Sequence, residues 1–274
     1  IYDAINKILI KNKILAPNLY RQKYDSHYLE IQDFGNDTLF KILKIKKNQF
    51  FFFKKIVKIL SQIQKIKDRS VKNFKNQKYT IPKYKREILI KEANLFCDWY
   101  LQNHLSKKER YEFIKKFKKI IKKLTLSLKL ERDVFVHRDF HVSNLMLVNK
   151  QIGVIDSQDA LRGNKAYDLA SLIDDVRLKT SKSLKDKIYN LYLKKHIKLD
   201  KNKFKNDFQI LSILRNLKII GIFARLAMRD HKKNYLKLIP HAWKLIGIRI
   251  KENEVFKDLK KLLNQNFKKK LNDN

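Results

Sequence analysis

The run Val136-His137-Arg138-Asp139-Phe140-His141-Val142-Ser143-Asn144-Leu145 concentrates polar side chains between apolar ones, and Ile155-Asp156 follows about a dozen residues later. The spacing His-x-Asp-x4-Asn, then Asp, suits phosphoryl transfer. That reaction needs a carboxylate to orient and deprotonate a hydroxyl, and hard oxygen ligands for the Mg²⁺ that bridges nucleotide phosphates. Asp139 stands where the first task requires it, and Asn144 and Asp156 where the second does. Asn offers a neutral oxygen and Asp a charged one, so the metal is held without overcharging the site. A single Asp or Asn beside a strand is ordinarily a turn residue. The joint occurrence of His137, Asp139, Asn144 and Asp156, each near a β segment, argues for use. His137 and His141 have the i, i+4 spacing of zinc ligands on a helix, but no Glu or third ligand follows in such a pattern.

These residues need strands to bring them together. Val134-Phe135-Val136 is a short β-rich run. Leu145–Val148 and Ile152–Ile155 read as paired strands around a turn at Asn149-Lys150-Gln151, which draws Asn144 and Asp156 close. Most of the remaining chain has helical periodicity. Tyr2, Ile5, Ile8 and Leu9 recur on one helix face, and Ala16-Pro17 ends that helix. Tyr28–Gln32 reads as a strand, Gly35-Asn36-Asp37 as a turn and Thr38–Ile45 as a helix. Lys67–Lys83 is polar, with Pro82 near its end, and is expected to be a mobile loop. Arg86–Leu105 is expected to be helical. Ser106-Lys107-Lys108-Glu109 forms a capping box that opens a helix to about Leu130. After Gly163 the pattern predicts helices over 166–176, 184–195, 204–229 and 235–250, with a frayed tail at Lys268–Asn274. No internal repeat is visible.

Composition bounds the class. With 274 residues the chain holds one large domain or two small ones. Its 44% hydrophobic residues exclude wholesale disorder. The one cysteine, Cys97, excludes a disulfide-stapled scaffold and a cysteine-based zinc site. No apolar run approaches the ~20 residues of a membrane helix, since Ile219–Phe223 is bounded by Lys218 and Arg225. No signal peptide is visible, and a cytoplasmic location is expected. Basic residues number 64 against 27 acidic ones, a formal net charge of +37. The lysines are spread along the whole chain, and only 12 of the 64 are Arg, the better partner for bidentate phosphate contacts. They therefore read as solvated helix faces. Weak, nonspecific polyanion binding follows from the charge; a specific nucleic-acid or membrane partner does not.

The central segment resembles the catalytic loop of the aminoglycoside phosphotransferase and choline kinase superfamily. More narrowly, His137–His141, Ile155-Asp156-Ser157-Gln158-Asp159-Ala160 and Tyr167-Asp168-Leu169-Ala170-Ser171-Leu172 resemble the bacterial cell-wall amino-sugar kinases. Asn94–Tyr100, Arg215–Lys218, Gly221–Leu226 and Arg229-Asp230 extend that match over nearly the whole chain. The resemblance implies an α+β, protein-kinase-like fold with a largely helical C-lobe and a short β-hairpin carrying the metal site. It implies an ATP- and Mg²⁺-dependent small-molecule kinase, acting on the anomeric hydroxyl of N-acetylmuramate or N-acetylglucosamine in cell-wall recycling.

By the same resemblance, Asp139 is the catalytic base of a loop that includes His137 and Arg138, and Asn144 and Asp156 are the magnesium ligands. His137 and Asp168 brace the loop. Glu30, Gln32 and Asp33 belong to the hinge that holds adenine through its backbone. Asp33-Phe34-Gly35 spells the metal-binding tripeptide of kinases but precedes the catalytic loop, so Asp156-Ser157-Gln158 is the counterpart. Ser157 stands where the family usually carries Phe. Gln158 and Asp159 are candidates for a sugar hydroxyl, Trp99 and Phe96 for stacking on a sugar ring, and Arg215 and Arg225 for a carboxylate or phosphate.

The family's phosphate-covering loop and phosphate-binding Lys lie upstream of the helix that opens this chain. Gly35 is the first of only five glycines, so no phosphate-cradling turn precedes the hinge. The expectation is a truncated small lobe, residues 1–33 being its remnant with the hinge, ahead of a helical C-lobe over 34–274; an inactive chain is one consequence. Two other readings compete. One keeps the family and changes the substrate to choline, an aminoglycoside or homoserine. The other is a basic helical nucleic-acid-binding protein, which leaves the central motif unexplained.

Overall fold

A computed structural model describes residues 1–23, 26, 28–45 and 48–272. The chain opens on α1 (Tyr2–Lys11), whose buried face carries Ile5, Ile8 and Leu9. Lys13, at φ +59°, turns the chain out of it. Strands β1 (Leu19–Lys23) and β2 (Tyr28–Ile31) pair antiparallel, with a register shift between Leu19 and Arg21. Then come α2 (Leu39–Ile45) and α3 (Gln49–Ile63), the latter capped by Asn48, whose side chain accepts from the Phe51 amide.

The expected mobile loop at Lys67–Lys83 is corrected: it holds an antiparallel hairpin of β3 (Ser70–Lys72) and β4 (Lys78–Thr80). Local chemistry builds its turn. The Asn73 side chain accepts from the amides of Lys75 and Gln77, and Asn76 supplies a φ of +59°. The hairpin is anchored to α1, where buried Asp3 accepts from the Phe74 amide at 2.7 Å.

The helical span expected over Arg86–Leu105 is helical to Asn103 but changes type along its length. Helix α4 (Arg86–Leu95) widens into a π-turn at Phe96–Tyr100 and tightens into a 3₁₀ turn at Leu101–Asn103. Helix α5 (Lys107–Leu126) begins with the predicted capping box of Ser106 and Glu109. Strand β5 (Val134–Val136) finds a partner not visible in the sequence, β8 (Leu161–Gly163), three residues too short to show a period. Between them β6 (Leu145–Val148) and β7 (Gln151–Val154) form the predicted hairpin. Asn149 and Lys150, at φ +48° and +65°, give the turn whose twist suits a two-residue hairpin.

Among the described residues, the α-helices that follow are α6 (Tyr167–Ile173), α7 (Lys182–Lys195), α8 (Lys201–Met228), α9 (Ile239–Ile250) and α10 (Lys257–Asn272). Ser181 caps α7 and Asp200 caps α8. The helix expected from Tyr235 starts later, because a 3₁₀ turn occupies Lys233–Leu238 and Pro240 sits in the first turn of α9. The tail expected to fray at Lys268 is helical to Asn272, and its last two residues lie outside the described ones. Among the described residues no helix is long and apolar enough to cross a membrane.

The chain groups into two compact units, residues 1–83 with 131–199 and residues 84–130 with 200–274. The boundary read from sequence at 33/34 divides the chain along a different line. In the first unit Phe135, Phe140, Tyr167 and Tyr192 are fully or almost fully buried. The second is organised around an aromatic cluster. Phe96 stacks on Tyr100 and Phe117 with ring centres 5.2 and 5.8 Å apart, and Trp243 meets it edge-on at 5.7 Å. Gly221 of α8 lies against the end of α4, where a Cβ would come within 2.2 Å of the Leu95 backbone.

Candidate active site

The first unit holds the polar segment singled out in the sequence. Strand β5 delivers the chain to His137, and Arg138, at φ +73°, turns it sharply. Two successive amides at this turn would be orphaned by burial. Asp168, itself fully buried in the first turn of α6, accepts both: His137 N–H at 2.7 Å and Arg138 N–H at 3.0 Å. Leaving such amides unmet costs ~1–3 kcal/mol each, so one carboxylate from α6 defines the loop's entry.

His137 is fully buried, and its Nε2 lies 3.1 Å from the Ile155 carbonyl. A carbonyl only accepts, so Nε2 carries the proton. Burial holds the imidazole below its ordinary range, against the opposite pull of Asp139 and Asp156. His137 is therefore a neutral strut between the loop and the end of β7.

The loop then closes on itself. His141 N–H donates to the Asp139 carbonyl at 3.0 Å, and Asn144 N–H to the His141 carbonyl at 2.9 Å. Asn144 donates its side-chain Nδ2 both to the Asp139 carbonyl at 3.1 Å and to Asp156 Oδ2 at 3.3 Å. Asp139 and Asp156 thus share one amide as a neighbour, and the hairpin brings the sequence-predicted residues together. Asp156, at φ +62°, is exposed, and Gln158 Nε2 donates to its Oδ1 at 2.8 Å. Asp159 accepts from Arg138 Nη1 through its carbonyl at 3.3 Å, with its carboxylate 3.7 Å from the same nitrogen.

The donor set fits a hard divalent cation. An exposed carboxylate and an amide converge, both oxygen-bearing, with no thiolate or imidazole facing them in the contacts above. Asn144 and Asp156 are the side chains that would hold such an ion. Among the described residues no three His, Cys, Asp or Glu side chains gather as a metal cage. Mg²⁺ needs none, since it keeps water and takes phosphate oxygens as ligands.

The other predicted residues are placed separately. The Gln32 side chain accepts from Asn18 Nδ2 at 3.0 Å, and the Gln32 backbone N–H donates to the Asn18 backbone carbonyl at 2.8 Å. Glu30 lies 3.7 Å from Arg21 and lines a concavity of about 1100 Å³ with Asp3, Lys7 and Tyr20. Asp33 accepts from the Gly35 amide at 2.7 Å, so the Asp-Phe-Gly tripeptide is a side-chain-stabilised turn. Trp99 and Arg215 belong to the second unit, where Trp99 is half-buried in the π-turn and Arg215 is buried. Phe96 is corrected as a stacking candidate, because it is fully buried at the centre of the aromatic cluster.

Sequence reasoning missed two supports. Arg162 of β8 is buried, donating to the Ile66 carbonyl at 2.8 Å and to the Asp133 carboxylate at 3.3 Å. Asn6 of α1 accepts from the Ser157 hydroxyl at 2.6 Å. Neither carries a motif; a polar residue on the apolar face of α1 was the available signal.

A model of the phosphotransferase enzyme family matches residues 52–197. The chain is 30% identical over 254 residues to an N-acetylmuramate/N-acetylglucosamine kinase of Pseudomonas aeruginosa, covering 90% of this chain and 72% of that one. It is 27% identical to the protein of the same name from Neisseria meningitidis serogroup B, over 87% of this chain and 71% of that one. Among solved structures it is similar to the AMP-bound complex of a spectinomycin phosphotransferase, at 15% identity and a TM-score of 0.63, covering 93% of this chain and 85% of that one. That likeness shows the kinase-like fold.

Proposed function

Because the chain belongs to the phosphotransferase enzyme family, we propose that it transfers the γ-phosphoryl group of ATP to the anomeric hydroxyl of N-acetylmuramate or N-acetylglucosamine, in the cytoplasm, as a step of cell-wall recycling. The observation that carries the reading is the Asn144 side-chain amide, which donates both to the backbone carbonyl of Asp139 and to the carboxylate of Asp156. The curated relatives supply the sugar.

In this reading Asp139 takes the proton of the acceptor hydroxyl as its oxygen forms a bond to the γ-phosphorus. The bond from that phosphorus to the β,γ-bridging oxygen breaks, and ADP leaves. Asn144 and Asp156 would hold Mg²⁺, which would neutralise charge on the phosphate oxygens. Arg138 and His137 keep Asp139 in place, with Asp168 behind them. The backbone of Glu30, Gln32 and Asp33 receives adenine. Gln158, Asp159, Trp99 and Arg215 are the proposed sugar contacts.

The test is ADP release by the protein at its full natural length, with ATP, Mg²⁺ and a panel of N-acetylmuramate, N-acetylglucosamine, choline, homoserine and an aminoglycoside. The expected result is turnover on the two amino sugars and a loss of ~10²–10⁴-fold in Asp139→Asn, with the melting temperature unchanged. Turnover confined to choline or an aminoglycoside overturns the sugar assignment. Full activity in Asp139→Asn overturns the base.

A further inference from the structure

Asp156 has a left-handed backbone, φ +62°, without being glycine. Such a conformation costs ~1 kcal/mol or more and persists only where its neighbours hold it. The neighbour here is Ser157, fully buried, whose Oγ lies 2.6 Å from Asn6 Oδ1. Asn6 sits on α1, far away in sequence, and is also buried. Its Nδ2 donates to the Pro17 carbonyl at 2.9 Å. That contact settles the amide's direction. A carbonyl can only accept, so Nδ2 faces Pro17, Oδ1 faces Ser157, and Ser157 is the donor. Both ends of the amide are used, and it cannot turn without losing both bonds. The backbone on either side of the carboxylate is thus tied at two places: through His137 to the Ile155 carbonyl, and through Ser157 to α1.

We propose that Asn6 is a positioning residue for divalent-cation binding at Asp156, acting through the Ser157 hydroxyl, so that α1 sets the affinity of the metal site. This rests on the reading above that Asp156 holds the metal.

The experiment titrates Mn²⁺ into the full-length protein with ADP present, following free Mn²⁺ by electron paramagnetic resonance, and measures thermal unfolding of the same samples without metal. Asn6→Ala and Ser157→Ala each leave a buried polar partner unmet. Each is expected to lower the melting temperature and weaken Mn²⁺ binding about tenfold. The double variant removes both polar groups, so its melting temperature recovers part of the loss, while Mn²⁺ binding stays weak. That split separates positioning from stability. Ser157→Cys, nearly the same size with a weaker donor, is the gentler variant should an alanine variant fail to fold, and is expected to weaken binding several-fold. Unchanged Mn²⁺ affinity in these variants, with weakened binding in Asp156→Asn, overturns the role of Asn6 and leaves the metal ligand standing. Recovery of Mn²⁺ affinity together with stability in the double variant also overturns it. Unchanged binding in Asp156→Asn overturns the ligand assignment itself, and this inference with it.

Discussion

The candidate catalytic loop of the first unit is only partly buried, the aromatic cluster of the second is fully so, and different forces hold them. Around Phe96 the forces are dispersion and the removal of ring surface from water, which add over many contacts and have little direction. At the loop they are a few hydrogen bonds with fixed geometry: Asp168 to two amides, His137 to the Ile155 carbonyl, Asn144 to Asp139 and Asp156. The loop also contains backbone that a packed core would not choose, at Arg138 and Asp156. A cluster held by many equivalent contacts sets stability. A loop held by a few directional ones sets where reactive atoms lie.

Substitutions can break or sharpen that contrast. Phe96→Ala should have a large effect on stability, about 3–5 kcal/mol in urea unfolding, because it empties the centre of the cluster. Turnover per folded molecule should stay close to that of the parent protein; a large fall would erase the distinction. Asp168→Ala should cost comparable stability, ~1–3 kcal/mol for each of the two amides left unmet, but unlike Phe96→Ala it should also lower turnover about 10²-fold, because the loop loses its pose. Asp168→Asn keeps one acceptor oxygen and should fall between. Gly221→Ala tests the packed side alone. Its Cβ would meet the Leu95 backbone, which cannot swing away as a side chain could, and a loss of ~1–3 kcal/mol with unaltered turnover is expected.

The smallest effect concerns pH. His196 accepts a contact from Lys165 Nζ at 3.1 Å and faces the Ser61 hydroxyl at 3.1 Å. Burial, then the charges of Lys165, Lys65 and Lys195, lowers its pKa to about 4. The folded protein therefore favours neutral imidazole, while the unfolded chain takes up its proton near the ordinary value of 6.5. The stability tied to this group is complete above that value and is lost as pH falls from 6.5 towards 4. His196→Asn should flatten that part of the curve of unfolding free energy against pH. An unaltered slope would show that the imidazole does not carry it.

Much of the site was legible because its signals are local. The β6–β7 hairpin shows apolar runs around a turn, and Asn144 and Asp156 flank it, so their approach follows from strand pairing alone. The Ser106–Glu109 cap was visible for the same reason. What was missed lies where local signal is weak. The hairpin at Ser70–Thr80 looks like a polar loop, because its strands have three residues each and few of its side chains are buried. The π-turn at Phe96–Tyr100 interrupts a pattern that reads as continuous helix, and the close approach of α8 at Gly221 comes from far along the chain.

The sequence by itself determined which side chains could bind metal and accept a proton, and the hairpin that joins two of them, since residue type and short-range pairing are written in adjacent positions. Tertiary structure alone decided that β5 would pair with β8 and that Asn6 would reach Ser157. Those contacts join residues far apart in the chain. Each exists because a buried polar group must find a partner wherever folding brings one, and no spacing along the sequence records where that will be.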